Sequence, residues 1–429
     1  MDKIKIIGGN KLNGQIPISG AKNAALPLMI ASLLTEETLS IDNVPYLSDI
    51  EQLLRLLSNL GVDHSIEGKK AEELDSYRRS IHFNAHHLTS CKASYELVSK
   101  MRASFWVIGP ILARMGEACV SLPGGCAIGT RPVTFILDGL KALGAEIAIE
   151  SGYVHAKAPK GLSGTKYRFP KITVGGTHVM LMAASLANGE TILENAAVEP
   201  EVSNLCECLI AMGAEISGVG TNTLYIKGKT SLKSARQCVI ADRIEAGTYA
   251  MAVAMAGGEL FLSQAVGKHL ESVIDVLRKC GVTIDVRNDG ILVKKGEGRL
   301  KAVDITTLPY PGFPTDLQAQ FMALMTMADG ISRITETIFE NRFMHVQELA
   351  RLGARISLAG QRAIIEGVDK LEGAPVMATD LRASVSLVIA GLVASGETTV
   401  SRVYHLDRGF ENLEQKLSAC GVQIQRISS

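Results

Sequence analysis

The residues best suited to chemistry are one cysteine in a glycine loop and a series of charged side chains at matching places along the chain. Cys126 lies in LPGGCAIGTRP, Leu122 to Pro132, five residues before Arg131. A thiol packed for stability belongs on an apolar helix or strand. A loop thiol beside a guanidinium has surroundings that lower a free thiol's pKa from about 8.5 and favour the thiolate. Lys22, Arg102, Lys171, Arg243, Asp316 and Arg382 each stand where a small-residue, apolar stretch begins: SGAKNAALP, KMRASFWVI, KITVGGTHV, ADRIEAGTY, FPTDLQAQF and ATDLRASVS. A helix N-terminus carries unpaired N–H groups and the positive end of the macrodipole, which suits anions and gives added cations nothing. Cations repeated at such places therefore read as a site for phosphate and carboxylate.

Taken singly, each residue also has a plainer reading. Cys126 can be an inert loop thiol and Arg131 a surface ion pair of little worth. The Thr-Asp pairs at 315–316 and 379–380 read as N-caps, and Arg408 in HLDRGF can neutralise Asp407. Lys22 follows Gly14 and Gly20, but that spacing, with Asn23 in place of Ser or Thr, is not a phosphate-binding P-loop.

The elements that must position these residues repeat. A helix end followed by Gly and a short strand recurs six times, in LSNLGVDHSI, LKALGAEIAI, LIAMGAEISG, LRKCGVTIDV, LARLGARISL and LSACGVQIQR. The glycines, Gly61, Gly144, Gly213, Gly281, Gly353 and Gly421, are separated by 83, 69, 68, 72 and 68 residues, and each reads as a left-handed helix stop. Upstream of them lie a turn into an alternating strand and a helix apolar on nearly every face, such as LPLMIASLL or VMLMAASLA. Such a helix is buried on all sides. The unit is a buried helix, a strand, an amphipathic helix and a strand pair, with three units per domain. One copy carries extra length. Glu117 to Gly144 is 27 residues, against 24 for Glu37 to Gly61 and 23 for Glu190 to Gly213, and the surplus falls on PGGCAIG. Loops added to a repeated scaffold are where function resides. The first unit is longer by about 14 residues. The excess carries His82, His86 and His87, and the Ile81-His82-Phe83 alternation reads as a solvated hairpin rather than a metal site.

The bulk properties narrow the classes. At 429 residues the chain exceeds one ordinary core, so two domains are expected. Zero formal net charge argues against nucleic acid or an anionic membrane as partner. The N-terminus lacks the pattern of a signal peptide, and no apolar run reaches a membrane span. The eight cysteines include no C-x-x-C pair, and Cys206 and Cys208 fit neither a zinc site nor a disulfide framework. Reduced thiols in a cytoplasmic protein, with no metal and no cofactor, are the expectation.

SGAKNAALP, KMRASFWVIGP, SLPGGCAIGTRP, PGFPTDLQAQF, TETIFENRFMHV, MATDLRAS and YHLDRGFE together resemble the enolpyruvyl transferases, in the branch that uses UDP-N-acetylglucosamine as acceptor. The resemblance spans nearly the whole chain. It implies an α/β fold, a two-domain inside-out α/β barrel of six repeated helix-strand units, with buried helices surrounded by sheet. It also implies that residues 22–240 form one domain and residues 1–21 with 241–429 the other, the site lying between them. The implied substrates are phosphoenolpyruvate and UDP-N-acetylglucosamine, with no obligate protein partner, in the opening of peptidoglycan synthesis.

Carried over residue by residue, Cys126 matches the proton donor, also the target of fosfomycin alkylation, and Asp316 the acid–base group at the sugar hydroxyl. Lys22, Arg131 and Arg408 match the phosphate clamp, Arg382 a cation near the phosphoenolpyruvate carboxylate, and Asn23 a site asparagine. Arg102, Arg131, Pro132, Val133, Thr134, Phe135, Lys171, Ile172, Thr173, Val174, Asp316 and Ile338 match positions that hold the UDP-sugar. Two residues depart from the pattern: Thr134 stands where the family carries an acidic nucleotide contact, and Tyr310 where a His is common.

Overall fold

A computed structural model describes residues 2–68, 79–124 and 133–428. The repeat seen in the sequence is the repeat of the fold. All six glycines that close the amphipathic helices have φ between 94° and 101°, a conformation glycine adopts without a Cβ penalty. Each therefore stops its helix and sends the chain into a strand.

The described strands form six four-stranded sheets. In the first unit Thr38–Asp42 pairs antiparallel with Ser80–Asn84, which pairs antiparallel with Asp63–Glu67. The fourth strand, Ala235–Cys238, joins parallel to Thr38–Asp42 from the far end of the same half. A parallel edge strand of this kind recurs at Lys92–Ala93, Lys166–Arg168, Ile305–Thr306, Pro375–Met377 and Leu12–Pro17. The sequence reading had no such strand, because these segments are short and lack alternation.

Two hydrophobic cores result. One is built from Ala21 to Val239. The other is built from Ile4 to Ile18 together with Ile244 to Ile424. At the centre of the first lie helices Lys22–Ala31, Ile108–Met115 and Val174–Ala184. At the centre of the second lie Arg243–Ala256, Gln318–Met325 and Ala383–Gly391. Side chains on every face of these helices are buried, apart from the outer face of Ile108–Met115. Small residues let them approach closely. A Cβ at Gly109 would lie 2.7 Å from a Val179 methyl.

The N-terminal strands complete the second core. Lys3–Ile7 pairs with Glu397–Ser401 and Gln423–Ile427, and Leu12–Pro17 pairs with Gly258–Ser263. The chain then passes into the first core at Ser19 to Ala21 and returns at Ile240 to Asp242. The two crossings are tied to each other: Ala21 N–H donates to Ile240 O at 2.7 Å and Asp242 N–H to Ser19 O at 2.8 Å. Gly20 is required there, since a Cβ would fall 1.9 Å from Asn43 O.

The histidine-bearing stretch differs from expectation. Ser80–Asn84 is an inner strand of its sheet, and Ile81 and Phe83 are fully buried. The alternation is that of a half-buried strand rather than a solvated hairpin. His82 Nδ1 lies 2.8 Å from Ser40 Oγ. Cys206 and Cys208 belong to the first core, where burial pushes both thiols up to about 12.

Candidate active site

Four of the six charged residues at the helix starts, Lys22, Arg243, Asp316 and Arg382, gather where the two cores face each other. Lys22 is the first residue of its helix, and only 8% of its side chain is exposed. Its Nζ lies 2.6 Å from Asp49 Oδ2. Asp49 is the second residue of the amphipathic helix Ser48–Asn59 of the first core. Arg408, at the end of a 3-10 turn in the second core, donates from Nε to Asp49 Oδ1 at 2.8 Å and from Nη2 to Asp49 Oδ2 at 3.4 Å. One buried carboxylate thus holds a lysine from its own core and a guanidinium from the other.

The second cluster is centred on Asp316. Its Oδ1 accepts from Arg342 Nη2 at 2.8 Å and its Oδ2 from Arg382 Nε at 3.3 Å. Arg342 Nη1 also donates to Thr315 Oγ1 at 2.8 Å, and that hydroxyl donates to Glu336 Oε2 at 2.9 Å. Glu336 is 1% exposed and its Oε1 accepts from Thr307 and from the N–H groups of Ile338 and Phe339. The Thr-Asp pair at 315–316 is therefore not an N-cap. At 379–380 the capping reading holds, with Asp380 accepting from the N–H groups of Arg382 and Ala383. Arg408 pairs with Asp49, while Asp407 is held by Arg426 at 2.6 Å.

Burial pushes the Lys22 ammonium below the ordinary lysine value of 10.5, Asp49 opposes the shift, and Arg382 and Arg408 add to it. Asp49 is drawn upward by burial, but Lys22 and Arg408 outweigh this and hold it below the ordinary carboxylate range. The two directions are compatible, because burial dominates at Lys22 while two cations act on Asp49. Lys22, Arg342, Arg382 and Arg408 thus gather around Asp49 and Asp316, with Glu336 behind Thr315 and Asp242 attracting Arg382. They stand beside helix starts whose N–H groups are unpaired by side chains at Ala21 and Pro314. Such a cleft takes a multiply charged anion.

Arg243 makes a third link, donating to Glu201 Oε1 across the cores at 2.9 Å with its guanidinium 5.5 Å from the Tyr310 ring centre. Tyr310 thus occupies its unusual position as a partner of a buried cation.

The expected sugar-nucleotide residues fall into two places. Val133 and Thr134 open the helix Thr134–Ala142, and Phe135 O accepts from Tyr167 Oη at 3.1 Å. Thr173 caps the helix Val174–Ala184 by accepting from Gly176 N–H at 3.2 Å. Lys171 is exposed just before it, with Ile172 and Val174 half-buried. Arg102 starts a 3-10 turn whose Trp106 packs on His178 of that helix at 5.3 Å between ring centres. Ile338 lies on the second core, beside Glu336. Asn23, half-buried, follows Lys22. Cys126, Arg131 and Pro132 lie outside the described residues. The strand Glu117–Ser121 precedes them in the chain, and Val133 follows them.

The sequence reading missed Asp49 and Arg342. Asp49 looked like an ordinary acid in a helix first turn, favourable to the dipole. Arg342 lay inside a quoted motif, FENRF, with no spacing that tied it to Asp316.

A family model described as EPSP synthase (3-phosphoshikimate 1-carboxyvinyltransferase) matches residues 6–417. Proteins named UDP-N-acetylglucosamine 1-carboxyvinyltransferase from Brucella ovis and Brucella canis are 67% identical over 428 residues, covering 100% of this chain and of each relative. The enolpyruvyl transferase NikO from Streptomyces tendae superposes with a TM-score of 0.87 at 22% identity, covering 100% of this chain and 99% of its own. EPSP synthase from Acinetobacter baumannii superposes with a TM-score of 0.77 at 19% identity over 100% of both chains. At these identities the two structures speak for the fold, the inside-out α/β architecture. With the family model matched over residues 6–417 and the identity to full-length relatives sustained from end to end, the chain belongs to the enolpyruvyl transferase family.

Proposed function

We propose that the chain transfers the enolpyruvyl group of phosphoenolpyruvate to the 3′-hydroxyl of UDP-N-acetylglucosamine and releases phosphate, the opening step of peptidoglycan synthesis. The name and 67% identity of full-length relatives support this acceptor, and the buried cation cluster between the cores carries the anionic donor. The unit division at residues 21–22 and 240–241 is proposed with it, supported by the two separate cores. No described helix is long and apolar enough to cross a membrane, and no disulfide joins the described cysteines. A cytoplasmic setting with small-molecule substrates is proposed together with this activity.

The reaction needs three things from the chain. The phosphate of phosphoenolpyruvate is held by Lys22 and Arg408, whose shared Asp49 keeps them at one place, with Arg131 as a third cation. Arg382, 2% exposed and fixed beside Asp316, takes the carboxylate. As the sugar oxygen bonds to C2 of the donor, its proton passes to Asp316, whose carboxylate is oriented by Arg342 and Arg382. Cys126 delivers a proton to C3, turning the methylene into a methyl group. The resulting ketal loses phosphate from C2 and a proton from that methyl, restoring the double bond. Sites shared between two cores exclude water when the cores close on substrate.

Inorganic phosphate should be released from phosphoenolpyruvate only when UDP-N-acetylglucosamine is present, with a product heavier by one enolpyruvyl group. Release with shikimate 3-phosphate instead would place the chain in the other branch of the family. The Cys126→Ala variant should keep its fold by circular dichroism and lose turnover; full turnover would remove the thiol from the mechanism.

A pH prediction follows from Lys22. Its lowered pKa means that the ammonium is lost at a lower pH than in an exposed lysine. Phosphoenolpyruvate affinity, read by calorimetric titration, should therefore fall on the alkaline side before pH 10.5 is reached. The Lys22→Arg variant, which cannot deprotonate in this range, should bind more weakly but with a flatter alkaline limb. Parallel profiles would exclude Lys22 as the titrating group.

A further inference from the structure

We infer that Arg79 is a positioning residue for the phosphate clamp, acting through the segment that carries Asp49. This rests on the reading of Lys22 and Arg408 as that clamp. The Arg79 side chain is 1% exposed, an unusual place for a guanidinium that contacts no proposed substrate position. Two described interactions hold it. Its Nη1 lies 2.8 Å from Glu51 Oε1, and its guanidinium carbon lies 4.5 Å from the centre of the Tyr46 ring. Its carbonyl also accepts from Val44 N–H at 3.0 Å.

These three partners bracket Asp49. Val44 and Tyr46 precede the helix Ser48–Asn59, and Glu51 lies in its first turn. The same segment is the one the first core presents to the second. Tyr46 N–H donates to Glu411 Oε1 at 2.9 Å, Ser48 Oγ donates to Asp407 O at 3.4 Å, and Asp49 takes Arg408. Residues 44–49 thus touch the second core on one side and are braced by Arg79 on the other. A guanidinium lying over a ring and within ion-pair distance of a carboxylate holds both partners through its spread charge, which a compact ammonium does less well. Fixing Tyr46 and Glu51 fixes the start of the helix between them. That start sets where the Asp49 carboxylate sits, and so where Lys22 and Arg408 converge.

Removing Arg79 should therefore weaken donor binding and leave acceptor binding alone. In steady-state assays the Arg79→Met variant should raise KM for phosphoenolpyruvate about tenfold, as expected for a group that orients a binding residue without touching ligand. KM for UDP-N-acetylglucosamine should stay within about twofold, and Arg79→Lys should rescue only in part because it cannot stack flat. A general loss of folding would raise neither KM selectively, so the split separates positioning from mere stability. Unchanged KM for phosphoenolpyruvate, or an equal rise for both substrates, would overturn the inference. If Arg79→Met does not fold, Glu51→Gln decides, since Glu51 is half exposed and its loss leaves the core intact. A selective rise there supports the inference and none overturns it. Lys22→Ala in the same assay guards the underlying reading. If that variant leaves KM for phosphoenolpyruvate unchanged, the clamp assignment itself fails; if it raises KM and Arg79→Met does not, only the role of Arg79 fails.

Discussion

Replacing Asp316 by asparagine should lower kcat by about a thousandfold, within the range that general acid–base groups supply, while KM for phosphoenolpyruvate changes little or falls. The split follows from the electrostatics. Arg342 and Arg382 both place donors on the Asp316 carboxylate, and asparagine keeps the shape but removes a charge. The two guanidiniums then confront the donor's carboxylate with less competition, so ground-state binding is preserved or strengthened. What is lost is the oxygen able to accept the sugar hydroxyl's proton. The fold should tolerate the change: Arg342 retains Thr315, itself held by Glu336, and a weakened charged hydrogen bond costs about 1–3 kcal/mol. Stopped-flow product formation together with a donor titration checks both halves. A kcat within tenfold of wild type would remove Asp316 as the base, and a large rise in KM with kcat intact would make it a binding group.

The legible and illegible parts of this fold divide along a physical line. Features set by the local chain were readable. The six glycine stops needed only a left-handed residue after an amphipathic helix, and all six have it. The all-round apolar helices could be read as central because a helix with no polar face has nowhere else to go. Features set by distant pairing were not readable. The parallel edge strands, such as the two residues Lys92–Ala93 against Glu117–Ser121, carry no periodicity of their own. The partner of a buried charge is equally invisible. Arg408 sits next to Asp407 in the chain yet pairs with Asp49, 359 residues away. Thr315–Asp316 and Thr379–Asp380 look alike in sequence, but a nearby Arg342 turns the first outward to a cation and leaves the second to cap its helix. Lys22, Asp316 and Arg382 stand at or beside helix starts, as the repeat implied. The residue that unites the clamp, Asp49, came only with the three-dimensional arrangement.

Lys416→Met should destabilise the protein by about 3–5 kcal/mol, the cost of leaving one partner of a buried ion pair uncompensated. Lys416 and Glu245 are 1% and 2% exposed at the side chain and 2.6 Å apart. The pair does more than neutralise itself. Lys416 Nζ donates to Ser19 Oγ at 2.7 Å, and Glu245 Oε2 accepts from Ser19 N–H at 2.7 Å. Ser19 is in the first of the two crossings between the cores, so this pair pins the chain where it leaves one core for the other. The pH dependence gives the test its sign. Burial raises the Glu245 pKa above the ordinary 4.5, and Lys416 opposes that rise. With the lysine gone the opposition is gone, and the folded state binds a proton more readily than the unfolded chain. Stability is then favoured below the unfolded pKa and lost as pH rises through the folded one. The deficit of Lys416→Met in urea denaturation should accordingly be larger at pH 8 than at pH 5. Combining it with Glu245→Leu should recover most of the loss, because an apolar pair replaces a stranded charge. Recovery should stop short by about 1 kcal/mol, since the half-buried Ser19 N–H then loses its acceptor. A deficit independent of pH, or a double variant no better than the single, would show that Lys416 contributes by packing its stem rather than by holding Glu245 and the crossing.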